Sequence, residues 1–408
     1  MSSTFIPLND LSGYLDSRLW TICSAAILAD TKHADLIQPA IENINLWVGT
    51  VQEITTTIEY HGLSGVLYSL AQQHEISLPL RSSMVIKASS VKHAQRWQAI
   101  TRVLQEIQND IAPATRFCLL KGSALSSQIY TEAYHRAMSD IDIMCAPKDA
   151  QNLQQQCIKA GFNGFDGASL DLKHHHLPAI SKQLGQHQIN LEIHTHALSF
   201  DLNQQLNWSD VDAQLRTITI EQQDYLSLQH EQMLLQLCVH AFARDQVIKL
   251  SNIVDIFRYA IIFDDELDWR KIRNSHPEIL LTLRYSRLLL DLPEQVLPQV
   301  KPIPNIQKKK ISGLGESMLP LRELSNPQMA LLQRLKLLFF PSRWWQHIFY
   351  AIEPADSNQS QVQKLGIPAL WVRYVIHPLK VLGWITSKTV VQRVMSVFSV
   401  KQTKNINK

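Results

Sequence analysis

The stretch from Phe117 to Cys145 holds the residues with the most chemistry to offer. An apolar run, Phe117 to Leu120, ends in Lys121-Gly122-Ser123, and after 16 further residues Asp140 and Asp142 flank Ile141 inside a second apolar run. Carboxylates at i and i+2 of a strand point to one face, so the pair can share one divalent cation or two. The turn of small residues upstream leads into a helix. Backbone N–H groups at such a turn point towards an anion, which makes it a ready phosphate cradle. Metal-binding carboxylates beside a phosphate cradle suggest chemistry on a nucleoside triphosphate.

Phosphoryl and nucleotidyl transfer need charge neutralisation more than covalent help, and divalent ions provide it by bridging phosphates. Mg²⁺ (or Mn²⁺) takes carboxylates, phosphate oxygens and water, so Asp140 and Asp142 are the natural ligands. A third carboxylate on a neighbouring strand is needed to hold a second ion or to accept the proton of the incoming hydroxyl. Glu192, in Ile189-Asn190-Leu191-Glu192-Ile193-His194, is the best candidate, and the strand period puts His194 on its face. Lys121, Gly122, Ser123, Arg136 and Ser139 are the candidate nucleotide contacts, with the Gly122-Ser123 turn at the β and γ phosphates. Each has a plainer reading. A lone Asp-x-Asp is usually a solvated or capping pair, Lys121 can be an exposed strand-end lysine, Arg136 can simply pair with Asp140, and Ser139 can start the strand.

The order Gly-Ser, then Asp-x-Asp on a strand, then a later strand carboxylate resembles the DNA polymerase β-like nucleotidyltransferase superfamily. More narrowly, LKGSAL…IY…R…SDIDIM is similar to a broad bacterial family of uncharacterised nucleotidyltransferase-like proteins. That pattern has a Leu-Lys-Gly opening, an arginine shortly before the aspartate pair, and a histidine-rich strand pair ending in acid-x-His. Lys121, Arg136, the run His174-His175-His176-Leu177-Pro178 and Glu192-Ile193-His194 carry the match. The resemblance spans roughly residues 60 to 290, with specific motifs from 119 to 196. Where this chain has Glu192 the family often has Asp, which is shorter. The resemblance implies a nucleoside triphosphate (NTP) substrate, Mg²⁺ or Mn²⁺ as cofactor, and transfer to an acceptor that is a small molecule, glycan or protein. Its members often accompany genes for surface polysaccharides or peptide products. This implies an alternative: a non-catalytic binding or scaffold protein that keeps the fold. A third reading is a modifier that nucleotidylates another protein.

His174, His175, His176, His187, His194 and His196 invite a zinc reading, but their spacing has neither a helical HExxH nor a cysteine partner. Lining the acceptor pocket or packing a hairpin is the more modest role. Glu231, His240 and Asp255 could close the site from the helical side. Glu231 and His240 fall on opposite helix faces, however, and stay outside the core claim.

The elements that must position these residues follow from patterning. Residues 1–112 read as an N-terminal helical region: Leu15 to Ala29, Leu36 to Tyr60, Leu63 to His74 after a break at His61-Gly62, and Met84 to Ile111, stopped by Pro113. Residues 113–200 read as a nucleotidyltransferase core. Strands are expected at Phe117 to Leu120, Ile141 to Ala146, Leu177 to Ser181 and Ile189 to His194, with a turn at Gly185. Helices are expected at Ala124 to Tyr130 and Pro147 to Ala160, the latter capped by Gly161. Residues 201–330 read as a helical domain: Gln222 to Ala243, Val247 to Phe263, Trp269 to Asn274 and Pro277 to Leu292. The expected class is α+β, a small mixed-sheet core flanked by helical regions.

The last segment, 331–408, is a basic aromatic tail. Eight basic and no acidic residues follow Asp356; without those eight, 31 basic face 36 acidic residues, so a mildly acidic body precedes it. Three readings of the tail are open: packing on the body, peripheral contact with the inner face of a membrane, and, less favoured, nucleic-acid binding. Pro368 to Thr386 is broken by Arg373, His377, Pro378 and Lys380, so a spanning helix is not expected. The opening MSSTFIPLND lacks a basic start followed by an apolar core. The five cysteines form no CxxC pair, which fits buried thiols and a reducing, cytoplasmic setting.

Overall fold

The two apolar runs around the Lys121-Gly122-Ser123 turn become adjacent central strands of a six-stranded mixed sheet. A computed structural model of the chain describes residues 17–164, 175–198, 206–241, 249–287, 290 and 292–300. The chain divides into units 1–322 and 323–408, and the described residues all belong to the first. The basic aromatic tail and His174 lie outside the described residues.

Among the described residues, five α-helices lead into the sheet: α1 (Ser17–Leu28), α2 (Gln38–Trp47), α3 (Thr55–Tyr60), α4 (Ser64–Gln73) and α5 (Leu80–Glu106). Their apolar faces close on one core. Ile22, Ile27, Ile44, Ile58, Leu67 and Ile86 are fully buried, each contributing about 1.5–3 kcal/mol by leaving water. The 27-residue α5 ends in a wider π turn at Ile107–Ile111, two residues short of Pro113, which has no N–H to continue it. Gly65 on α4 lies under the His135 backbone; a Cβ there would meet His135 O at 2.5 Å, so only glycine lets that loop approach.

The remaining elements are β1 (Phe117–Leu119), α6 (Lys121–Ile129), β2 (Asp140–Cys145), α7 (Pro147–Lys159), β3 (Ile180–Leu184), β4 (His187–His194), the short α8 (Trp208–Val211), β5 (Arg216–Ile220), β6 (Gln223–Ser227), α9 (His230–Val239), α10 (Leu250–Ile262), α11 (Trp269–Ser275) and α12 (Pro277–Arg287). The sheet order is β3-β4-β2-β1-β6-β5. β1 runs antiparallel to β2 and parallel to β6, while β2 runs parallel to β4. β1 is buried along its whole length, and β2 is buried from Ile141 to Cys145. The fold is therefore α+β, a mixed sheet flanked by helices. One hydrophobic cluster joins the N-terminal helices, the sheet and α9 to α12.

One expected element is corrected. The helix predicted from Gln222 begins at His230, and residues 216–227 form the β5–β6 hairpin. Its tip, Glu221-Gln222, has φ of +47° and +65°. Two consecutive left-handed residues make the tight turn that matches strand twist, normally built from Asn or Gly. Without those residues the turn gave no signal in the sequence.

Candidate active site

Strand register assembles the site. β2 and β4 pair Asp140 with Asn190, Asp142 with Glu192 and Met144 with His194. Paired residues of neighbouring strands share a face, so Asp140, Asp142, Glu192 and His194 stand on one side of the sheet. On β4 the other face (His187, Ile189, Leu191, Ile193) is buried in the core. A one-residue slip would turn the carboxylates into that core, so the apolar face fixes the register of the site.

Asp142 is the hub and is 3% exposed. Its Oδ1 accepts from Lys121 Nζ at 2.7 Å and lies 2.8 Å from His194 Nε2. Glu192 Oε2 is 3.5 Å from the same His194 nitrogen. Burial pushes the Asp142 carboxyl up, but Lys121 and His194 outweigh it and hold it well below the usual carboxylate range. Burial likewise opposes the Lys121 ammonium, yet Asp142, Glu192 and Asp140 keep it above the ordinary lysine value. Glu192 is lowered: burial raises it, and the His194 contact more than compensates. Asp140, half-buried, is raised by burial and by the Asp142 charge; Ser139 Oγ donates to its Oδ1 at 3.0 Å.

The strand-to-helix turn is held in an uncommon conformation. Lys121 has φ of +46°, a left-handed geometry that costs a residue with a Cβ about 1–2 kcal/mol. Its N–H donates to Gln236 Oε1 on α9 at 3.3 Å, and Gln236 Nε2 donates to Ala197 O at 2.9 Å. Ser123 Oγ, fully buried, accepts the Asp142 N–H at 3.2 Å; this side chain ties α6 to β2. The first N–H groups of α6 have no partner within the helix, and the start of α6 meets the carboxylate face through Lys121.

Arg136 lies against Gly122, where any Cβ would overlap its Nη1. It does not pair with Asp140 through its Nε, which donates to Asp255 Oδ2 on α10 at 2.7 Å. Tyr130 donates its hydroxyl to Asp255 Oδ1 at 2.7 Å. Asp255 thus reaches the site from the helical side, through Arg136. Glu231 accepts the Asp268 N–H at 3.0 Å and is buried in that contact.

Two participants, Arg96 and Gln236, carried little or no signal. Arg96 on α5 donates from one Nη to both Ser139 O and Gln188 O, the latter at 3.0 Å, clasping the starts of β2 and β4. Gln236 could have been noticed as a lone amide within the apolar Met233 to Val239 run. Asp255, expected among the residues that could close the site from the helical side, touches it through Arg136.

The donor set fits a divalent cation. Among the described residues, Asp142, Glu192 and His194 each offer a ligand atom, and these atoms lie within 4.8 Å of one another. Two carboxylates and an imidazole suit Mn²⁺ or a similar ion, and the oxygens suit Mg²⁺. His194 is fully buried and its Nδ1 has no hydrogen-bond partner. Asp140 stands outside that set. The His175, His176 and His194 rings pack together with centroids 4.5–5.2 Å apart. His196 turns to Thr195, its Nδ1 2.9 Å from the hydroxyl, and His187 pairs with Leu184 in the hairpin.

A protein-family model described as uncharacterised nucleotidyltransferase matches residues 49–291, more than half of the 408-residue chain. No curated protein matches it. Among solved structures, the chain is similar to an antigenic nucleotidyltransferase-like protein from Paracoccidioides brasiliensis, at 13% identity and a TM-score of 0.25, over 52% of this chain and 95% of that one. No described helix is long and apolar enough to cross a membrane.

Proposed function

As the chain belongs to the family of uncharacterised nucleotidyltransferases, we propose that it moves a nucleotidyl group from an NTP to an acceptor hydroxyl or phosphate, with a divalent metal ion. The observation that carries this reading is the register of Asp142 with Glu192, which sets three carboxylates and His194 on one sheet face beside the start of α6.

Asp142, Glu192 and His194 would hold the metal ion, with Asp140 on the same sheet face beside them. When bound, Mg²⁺ or Mn²⁺ would neutralise phosphate charge as the bond to phosphorus changes. The backbone of Gly122-Ser123 cradles the phosphates, and Ser123 Oγ keeps that turn fixed to β2 through the Asp142 N–H. Arg136, oriented by Asp255, lies over Gly122 and faces the triphosphate. Ser139 holds the rotamer of Asp140. Glu192, with a side chain 26% exposed, takes the proton of the acceptor hydroxyl.

The test is a panel of the four NTPs, with Mg²⁺ or Mn²⁺, offered with candidate sugars, lipids and proteins. Transfer of an α-phosphate label with release of pyrophosphate is expected from one combination. Label transfer that persists undiminished in Asp140→Asn/Asp142→Asn would contradict the reading.

A further inference from the structure

We infer that the Lys121 ammonium fills one of the cation places of the carboxylate site, so that the nucleotide-free protein takes a single divalent ion beside it rather than two. The inference rests on the metal-centre reading above and adds to it the number of ions and the residue that sets that number.

The ammonium is built into the site. Its Nζ lies 2.7 Å from Asp142 Oδ1, on a side chain only 14% exposed. The lysine stem starts from a fixed point. The left-handed backbone at Lys121 and the hydrogen bond of its N–H to Gln236 aim it at the β2 face. All three carboxylates, Asp142, Glu192 and Asp140, act on the ammonium electrostatically. A buried ammonium requires such partners, since without them it would not remain charged.

Arg136 cannot take the same role, because Asp255 holds its Nε at 2.7 Å. Three carboxylates and one ammonium leave two negative charges, which one divalent ion balances. Asp142, Glu192 and His194 supply a compact set of ligand atoms for that ion. A second divalent ion would have to approach Asp142 at the side already taken by Nζ, against the repulsion of a fixed positive charge. In this arrangement any further ion enters as a counterion of the triphosphate.

The test is a titration of Mn²⁺ alone into the full chain, with free Mn²⁺ counted by electron paramagnetic resonance. Wild type and Lys121→Arg are each expected to bind one ion per chain in excess of Asp142→Asn. Lys121→Met is expected to bind a second ion, or to hold its one ion roughly ten-fold more tightly, a difference of one decade in Kd. Far-UV circular dichroism establishes that the variants are folded; should Lys121→Met not fold, the count on wild type decides alone. Two ions on the wild type, or a single ion on Lys121→Met held with the wild-type Kd, overturns the inference and leaves the metal centre standing. Equal Mn²⁺ binding by wild type and Asp142→Asn overturns the metal centre itself.

Discussion

Arg136 Nε donates to Asp255 Oδ2 across 2.7 Å, joining residues 119 positions apart in the chain. The pair carries the helical region into the site, because Asp255 is on α10 and Arg136 packs on Gly122. Asp255 is 1% exposed, so Asp255→Asn leaves a guanidinium only 13% exposed without its counter-charge. The expected cost is about 3–5 kcal/mol, read as a lower denaturation midpoint in urea. A loss below about 1 kcal/mol would place the pair with ordinary surface ion pairs instead.

Gln236 is predicted to matter through Lys121. Gln236→Leu keeps the size of the side chain but strips an acceptor from the Lys121 N–H and a donor from Ala197 O. A destabilisation of about 2 kcal/mol is expected from the two unsatisfied groups. Mn²⁺ binding should change with it, because Lys121 loses the contact that fixes its backbone. Unchanged stability and unchanged metal binding together would remove Gln236 from the account.

Acid should weaken the fold before its carboxylates titrate. His61 is 1% exposed, and burial, with the Lys249 charge, lowers its pKa to about 4. The unfolded chain binds this proton near pH 6.5. Stability is therefore complete above pH 6.5 and declines as the pH falls towards 4, by about 3 kcal/mol for this one group. His61→Gln should flatten that part of the stability profile. A profile with the same slope in wild type and variant would show that His61 does not titrate in this way.

All five cysteines are buried, and burial pushes the Cys145 and Cys157 thiols up to about 12. The native protein should react negligibly with a thiol-modifying disulfide reagent at neutral pH, whereas the denatured chain should expose five thiols. Rapid labelling of the native protein would contradict this.

What the sequence made legible were the features that depend on short spacing. Asp140, Asp142, Glu192 and His194 follow from the two-residue period of strands, and apolar β2 and β4 faces leave no other register. What stayed hidden were contacts made by distant parts of the chain. Arg96 reaches residues 43 and 92 positions away, and Gln236 reaches Lys121 across 115. No local pattern encodes such pairs. The β5–β6 hairpin was missed for a different reason: Glu221 and Gln222 take the left-handed turn without the Gly or Asn that marks one.

The central claim is that the carboxylate face binds a metal–triphosphate complex. Calorimetric titration of an NTP in the presence and absence of Mg²⁺ tests it most directly. Mg²⁺-dependent binding is expected for the wild type and loss of that dependence for Asp140→Asn/Asp142→Asn. Full retention of Mg²⁺-dependent triphosphate binding in the double variant would contradict the account.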